Sequence, residues 1–165
     1  MLKKLALLLV LAVAGPGCNG DVLGAGTPSD PATETFHPSL NVDISAFSRT
    51  ESGVYYRDTR VGTGDEAAAA DQVTITFAGY LASNGTLFAT QSTPTQQPLT
   101  VFVQGFRDGV VGMRVGGVRR IIIPSALAYG WQGRQQNGQV IVPRNATLVF
   151  DVELFAVTKP TTTTQ

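Results

Sequence analysis

The 165-residue chain sets 12 Lys and Arg against 12 Asp and Glu, is 43% hydrophobic, and carries one histidine and one cysteine. Balanced charge without a basic block removes the electrostatic case for nucleic acid as a partner, and a lone cysteine excludes an intramolecular disulfide. Eighteen glycines and nine prolines point to short strands and many turns, in one domain with extensions.

Lys3 and Lys4 precede the apolar run Leu5 to Ala14. That run is about half of the ~20 residues a membrane-spanning helix needs, so it reads as a secretory signal, 1–18, rather than an anchor helix. Gly15, Pro16 and Gly17 then lead to Cys18, an arrangement that resembles the lipobox of bacterial lipoproteins. The resemblance implies lipidation at Cys18 and a cell-envelope location. Asn19 after the cysteine favours the outer membrane facing the periplasm. The alternative is cleavage after Ala14 and a soluble periplasmic or secreted protein.

Residues 19–46, rich in Gly, Pro, Thr, Ser and Asp, read as an extended, weakly ordered tether to a domain at 47–158. His37 lies in the tether with no second His or Cys beside it, so neither metal binding nor base catalysis is expected there. Gly53 to Thr59 reads as a first strand, and Gly62-Thr63-Gly64 as a turn, since no helix of a dinucleotide fold follows it. Val73, Ile75, Phe77 and Leu81 alternate with polar or small residues along a second strand. Asn84-Gly85 reverses the chain into a return strand at Leu87 to Thr90. Thr93 to Pro98 is expected as a loop and Leu99 to Val103 as a further short strand. Phe106, Val110 and Met113 fall at i, i+4 and i+7 and predict a short helix that needs a sheet to lie on, with Asp108 near its start and Arg114 near its end. Val118 to Ile123 is again a strand, followed by a turn at Ser125 to Gly130 and a polar loop at Trp131 to Gln139. Leu148, Phe150, Val152 and Leu154 alternate with Thr147, Val149, Asp151 and Glu153, the pattern of a long strand with one apolar face. Residues 159–165 form a low-complexity tail. The sum is an α+β fold, an antiparallel sheet of about five strands curled around one short α-helix.

No histidine stands near a serine or cysteine, and no cluster has metal-ligand spacing, so covalent and hydrolytic catalysis lack a nucleophile–base pair. The chain offers aromatic residues instead: Phe77, Phe88, Phe106, Tyr129 and Phe150. Some aromatic core is expected in any domain of this size. Several of these residues come from strand ends and turns, however, which favours a cleft.

Phe77-Ala78-Gly79, Asn84 to Phe88, Gly105-Phe106-Arg107-Asp108-Gly109-Val110, Met113 to Gly117, Ile123-Pro124, Ala128-Tyr129-Gly130 and Val142-Pro143-Arg144-Asn145-Ala146-Thr147-Leu148-Val149-Phe150-Asp151-Val152-Glu153-Leu154 resemble, in order and spacing, an FKBP-type peptidyl-prolyl cis–trans isomerase. The resemblance covers about Ser52 to Val157. It implies a shallow aromatic pocket that receives proline, with Phe77, Phe88, Phe106, Tyr129 and Phe150 as the catalytic set. Phe106 would be the floor, and the Tyr129 hydroxyl would bind the peptide. Val103, Val142, Leu99 and Ala89 are the implied substrate-binding positions. No cofactor is called for, and the expected partners are proline-containing polypeptides met by a monomer.

Two departures bear on activity. The family's Phe-Asp pair is Phe88-Ala89, which removes a pocket carboxylate, and the 101–105 stretch is shorter than usual. Both leave open a second reading, a catalytically weak binding or chaperone module on the same fold.

Overall fold

The computed structural model of the chain describes residues 26–160. Eight strands and one α-helix, joined by loops and short 3-10 turns, form it: β1 (Ser48–Arg49), β2 (Tyr55–Arg60), β3 (Gln72–Leu81), β4 (Leu87–Pro98), α1 (Gln104–Val110), β5 (Val118–Ile123), β6 (Arg134–Gln136), β7 (Gln139–Val142) and β8 (Leu148–Thr158). Six strands make one sheet in the order β1-β2-β5-β8-β3-β4, antiparallel throughout, and β6 and β7 form a separate hairpin. The sheet therefore has one strand more than the expected five. The addition, β1, is two residues long and too short to carry a period.

The alternating segment near the C-terminus becomes β8, flanked by β5 and β3 at the middle of the sheet. Its Leu148, Phe150, Val152 and Leu154 point to one side, where they meet Val73, Ile75, Ile121, Ile123 and α1. Phe106, Val110 and Met113 are all buried, as their spacing requires, but the helix stops at Val110 and Met113 follows in a turn held by its N–H on the Val110 carbonyl at 2.9 Å. Gly105 and Gly109 face the sheet: a Cβ on Gly105 would stand 2.2 Å from Ile123 Cγ2, and one on Gly109 would stand 2.5 Å from Ile121 Cγ2. The helix propensity lost at Gly109 thus allows the backbone of α1 to lie directly on β5.

Asp108 and Arg114 are not the charges that serve the helix ends, since Asp108 lies in its second half and Arg114 beyond it. That part falls to Arg119 of β5. Its Nη1 donates to the carbonyls of Gly109 (3.0 Å) and Val111 (3.3 Å), while Nε and Nη2 grip Asp58 of β2 at 2.7 and 2.9 Å. Tyr56 lies under the guanidinium at 4.4 Å. A buried cation is tolerable here because every side of it meets an acceptor or a π face.

Three local expectations are corrected. Thr93 to Pro98 is not a loop but the second half of β4. Pro94 and Pro98 are admitted because β4 is an edge strand, whose outward groups have no partner to lose, and the register shifts beside Pro94. Leu99 to Val103 is not a strand. Leu99 N–H takes the Asp71 carbonyl at 3.1 Å, and the chain then winds through a 3-10 turn at Leu99–Val101 into the start of α1. The polar loop after Trp131 carries the hairpin β6–β7, turned by Asn137 (φ 52°) and Gly138 (φ 77°), both in the left-handed region a tight hairpin demands.

The segment 26–46, expected as an extended tether, is a strap on the sheet in this structure. Leu40 is 5% exposed, packed with Ala82, Ile122 and Val149 on the face of the sheet opposite α1, and Phe36, Val42, Ile44 and Phe47 surround that cluster. His37 N–H donates to the Ala82 carbonyl (2.8 Å) and Arg120 donates to the Leu40 carbonyl (2.6 Å) while holding Asp151 with two further bonds. Further upstream, Ser29 bonds both Ser125 and Thr147. The burial of these scattered apolar side chains offsets the entropy of ordering the strap. Cys18 and the signal segment lie outside the described residues.

Candidate active site

Five phenylalanine rings converge between α1, the inner face of β3, β4 and β8, and the turn before α1. Phe106, from the first turn of α1, is central: its ring centroid lies 5.6 Å from Phe77, 5.1 Å from Phe150 and 4.4 Å from Phe102. Phe77 meets Phe150 at 6.0 Å and Phe102 at 5.9 Å, and Phe88 meets Phe150 at 5.6 Å. All pairs are edge-to-face except Phe102–Phe106, which stack at 21°. Edge-to-face contacts satisfy the ring quadrupoles, and of the five rings Phe77, Phe88 and Phe102 are partly exposed while Phe106 and Phe150 are buried, at 1% and 5% exposure.

Strand chemistry places each ring. Phe77 and Phe150 are inward residues of adjacent strands. Phe88 stands where the β3–β4 register shifts between Gly79–Ala89 and Tyr80–Leu87, so it is the extra residue of a bulge and turns toward Phe150. Tyr129 follows the short turn Ser125–Leu127 and packs, half-buried, against the same cluster. Arg134, on the hairpin, lays its guanidinium 5.9 Å from the Tyr129 ring.

All five expected catalytic residues are thus brought to one cluster. Of the four substrate-binding positions, Val103 is half-buried at the N-cap of α1, and Ala89 sits half-buried on β4 opposite Gly79. Leu99 and Val142 are enclosed at 0% and 1% exposure in the same core cluster as the rings and present almost no surface. Phe102 is hidden in the sequence inside the apolar run 99–103, where it reads as one more strand residue. Its only signal is an aromatic side chain shortly before the helix that carries Phe106.

The opposite face of the sheet has a shallow groove bordered by Thr76, Ala78, Thr90, Asp151 and Glu153. Its two carboxylates, Asp151 and Glu153, are already paired with Arg120 and Arg60, and Phe77, whose ring belongs to the cluster on the inner face, is the one aromatic residue among those that border it. The ring cluster is the site with chemistry to offer.

Residues 64–155 match the family model described as FKBP-type peptidyl-prolyl cis-trans isomerase. The chain belongs to that family. Among curated FKBP-type relatives, an isomerase named FkpA from Aeromonas hydrophila is 40% identical over 125 residues, covering 74% of this chain and 44% of that protein. An FK506-binding protein of Neisseria meningitidis serogroup B is 36% identical over 111 residues, 64% of this chain and 96% of that one. The chain therefore spans under half of the first relative and nearly all of the second. Among solved FKBP-type structures, a peptidyl-prolyl isomerase from Pseudomonas syringae superposes with a TM-score of 0.63 at 26% identity, over 69% of this chain and 82% of that one. FkpA from Escherichia coli gives 0.60 at 28% identity, over 72% and 55%.

Proposed function

We propose that the chain accelerates cis–trans isomerisation of X-Pro bonds in exported proteins by non-covalent burial of the proline among these rings. The observation that carries the reading is the convergence of Phe77, Phe88, Phe106 and Phe150, drawn from three strands and one helix, with Tyr129 packed at their side. Rotation about the bond is opposed by ~18–20 kcal/mol of lost amide resonance. The twisted amide has less charge separation than the planar one, so transfer to an apolar site favours it. Shortening tens of seconds to milliseconds, about 10⁴-fold, takes only about 5–6 kcal/mol of differential stabilisation and no nucleophile. The Tyr129 hydroxyl would grip a substrate carbonyl, with Val103 beside the entry and Leu99, Val142 and Ala89 behind and alongside the rings.

A second reading, a binding or chaperone module with weak turnover, is favoured by Ala89, which puts a methyl group where a carboxylate would strengthen the grip on substrate. Peptide binding without faster exchange distinguishes it, and line-shape or exchange NMR on an X-Pro peptide reads both quantities at once.

The proposed setting is the cell envelope, through a lipid on Cys18. Lys3, Lys4, the apolar run to Ala14 and the small residues before Cys18 support it. No helix among the described residues is long and apolar enough to cross a membrane. Mass spectrometry of the mature N-terminal peptide tests the anchor: a diacylglyceryl adduct on Cys18 is expected, and a peptide that begins at Gly15 and carries Cys18 as a free thiol would leave the soluble alternative.

A further inference from the structure

A ring that receives proline must offer a face, and Phe106, the centre of the cluster, is only 1% exposed. Phe77 and Phe150 meet it edge-to-face, at 68° and 82°. Phe102 alone among the rings lies along its face, at 4.4 Å and 21°, and Phe102 is itself partly exposed, so it forms the outer layer. Carbon atoms in contact stand about 3.5–4.0 Å apart. A proline ring between Phe102 and Phe106 would require roughly twice the separation now present. The two cannot share that face of Phe106.

Phe102 is also placed to move. It follows the 3-10 turn Leu99–Val101, where its N–H bonds the Leu99 carbonyl at 3.2 Å, and precedes the N-cap of α1. The side chain thus lies at a joint between two short elements and is partly exposed, and a change of χ1 rotamer is the movement that would carry it off Phe106.

We infer that Phe102 is a built-in competitor: in the free protein it occupies the place of proline on Phe106, and an X-Pro segment enters by displacing it. This rests on the isomerase-site reading of the ring cluster. Phe102 thereby sets affinity, since only the fraction of molecules with the ring swung out accepts substrate and the apparent dissociation constant rises by the inverse of that fraction. A stacked aromatic pair of ordinary strength corresponds to a roughly 2- to 10-fold effect.

The test compares wild type, Phe102→Leu and Phe102→Ala for binding of a Leu-Pro tetrapeptide by NMR titration, with exchange rates measured on the same samples. Phe102→Ala should bind roughly 2- to 10-fold tighter, with Phe102→Leu between it and wild type. Equal or weaker binding by Phe102→Ala, or no binding by any of the three, overturns the inference, because a wall that proline touches loses affinity when truncated. Should Phe102→Ala not fold, the labelled wild-type Phe102 ring resonances decide. They should lose their ring-current shift as peptide saturates, and an unchanged shift overturns the inference. Tighter binding without accelerated exchange would uphold the competitor while sinking the isomerase activity.

Discussion

Gly79 lies directly beneath the ring of Phe150. The two are cross-strand partners on β3 and β8, and a Cβ at position 79 would stand 2.5 Å from Phe150 Cε1 and 3.0 Å from Cδ1. The strand interior gives up a side chain at this point so that Phe150 can lie across β3 toward Phe88 and Phe106. Gly79→Ala is therefore expected to push the Phe150 ring against Phe88 and Phe106. Overpacking of this kind costs about 1–3 kcal/mol, and kcat/KM should fall roughly tenfold in molecules that remain folded. Urea unfolding and exchange NMR on the same sample measure the two effects. Full activity in Gly79→Ala would mean that Phe150 does not shape the site.

Tyr129 is expected to act through its hydroxyl alone. Tyr129→Phe keeps the ring and its packing, so thermal unfolding should move little, within about 0.5 kcal/mol. Loss of one hydrogen bond to substrate should lower kcat/KM about 2- to 10-fold. A destabilised but equally active variant would assign the hydroxyl a structural part.

Leu40 tests the strap independently of the rings, because it packs on the other face of the sheet against Ile122 and Val149. Leu40→Ala should cost about 2 kcal/mol, the low end of the usual range since the strap can settle into the space. Activity per folded molecule should not change. A wild-type urea midpoint for Leu40→Ala would mean that the strap detaches freely from the sheet.

Asp71 supplies a pH dependence. Its side chain is buried, which by itself would raise the carboxyl pKa, but bonds from Lys159 Nζ (2.8 Å) and the Ala68 N–H (2.7 Å) outweigh burial and hold it below the ordinary 3.8. A depressed folded-state value contributes stability that is present above the unfolded pKa and lost as pH falls through the folded one. Stability should accordingly decline from about pH 4 downward, and less steeply in Asp71→Asn. Equal slopes for the two proteins in pH-dependent urea unfolding would contradict the assignment.

How much can be read from the chain alone depends on whether a segment's environment imposes a period. Leu148 to Leu154 alternate because β8 is central with α1 on one side, so that strand and the helix residues Phe106, Val110 and Met113 are legible. Thr93 to Pro98 are not, because an edge strand is free to carry prolines that would break a central one. The strap has no such signature, because Phe36, Leu40, Val42, Ile44 and Phe47 are spaced by 3-10 turns that present no repeating face. Asn137-Gly138 is a readable hairpin signal, obscured by the polar residues around it. In the site, Phe77, Phe88, Phe106, Tyr129 and Phe150 are found through their motifs. Leu99 looks like pocket wall because sequence position cannot tell a ring's neighbour from its backing, and Phe102 stays hidden because its part arises only from its stacking on Phe106.

The ring cluster is expected to accelerate X-Pro rotation. Protease-free exchange NMR on a proline tetrapeptide, with catalytic amounts of the purified protein, measures it directly. Cis–trans interconversion is expected to rise from about once in tens of seconds toward the millisecond range, in proportion to protein concentration. Interconversion at the uncatalysed rate, with the peptide demonstrably bound, would contradict it.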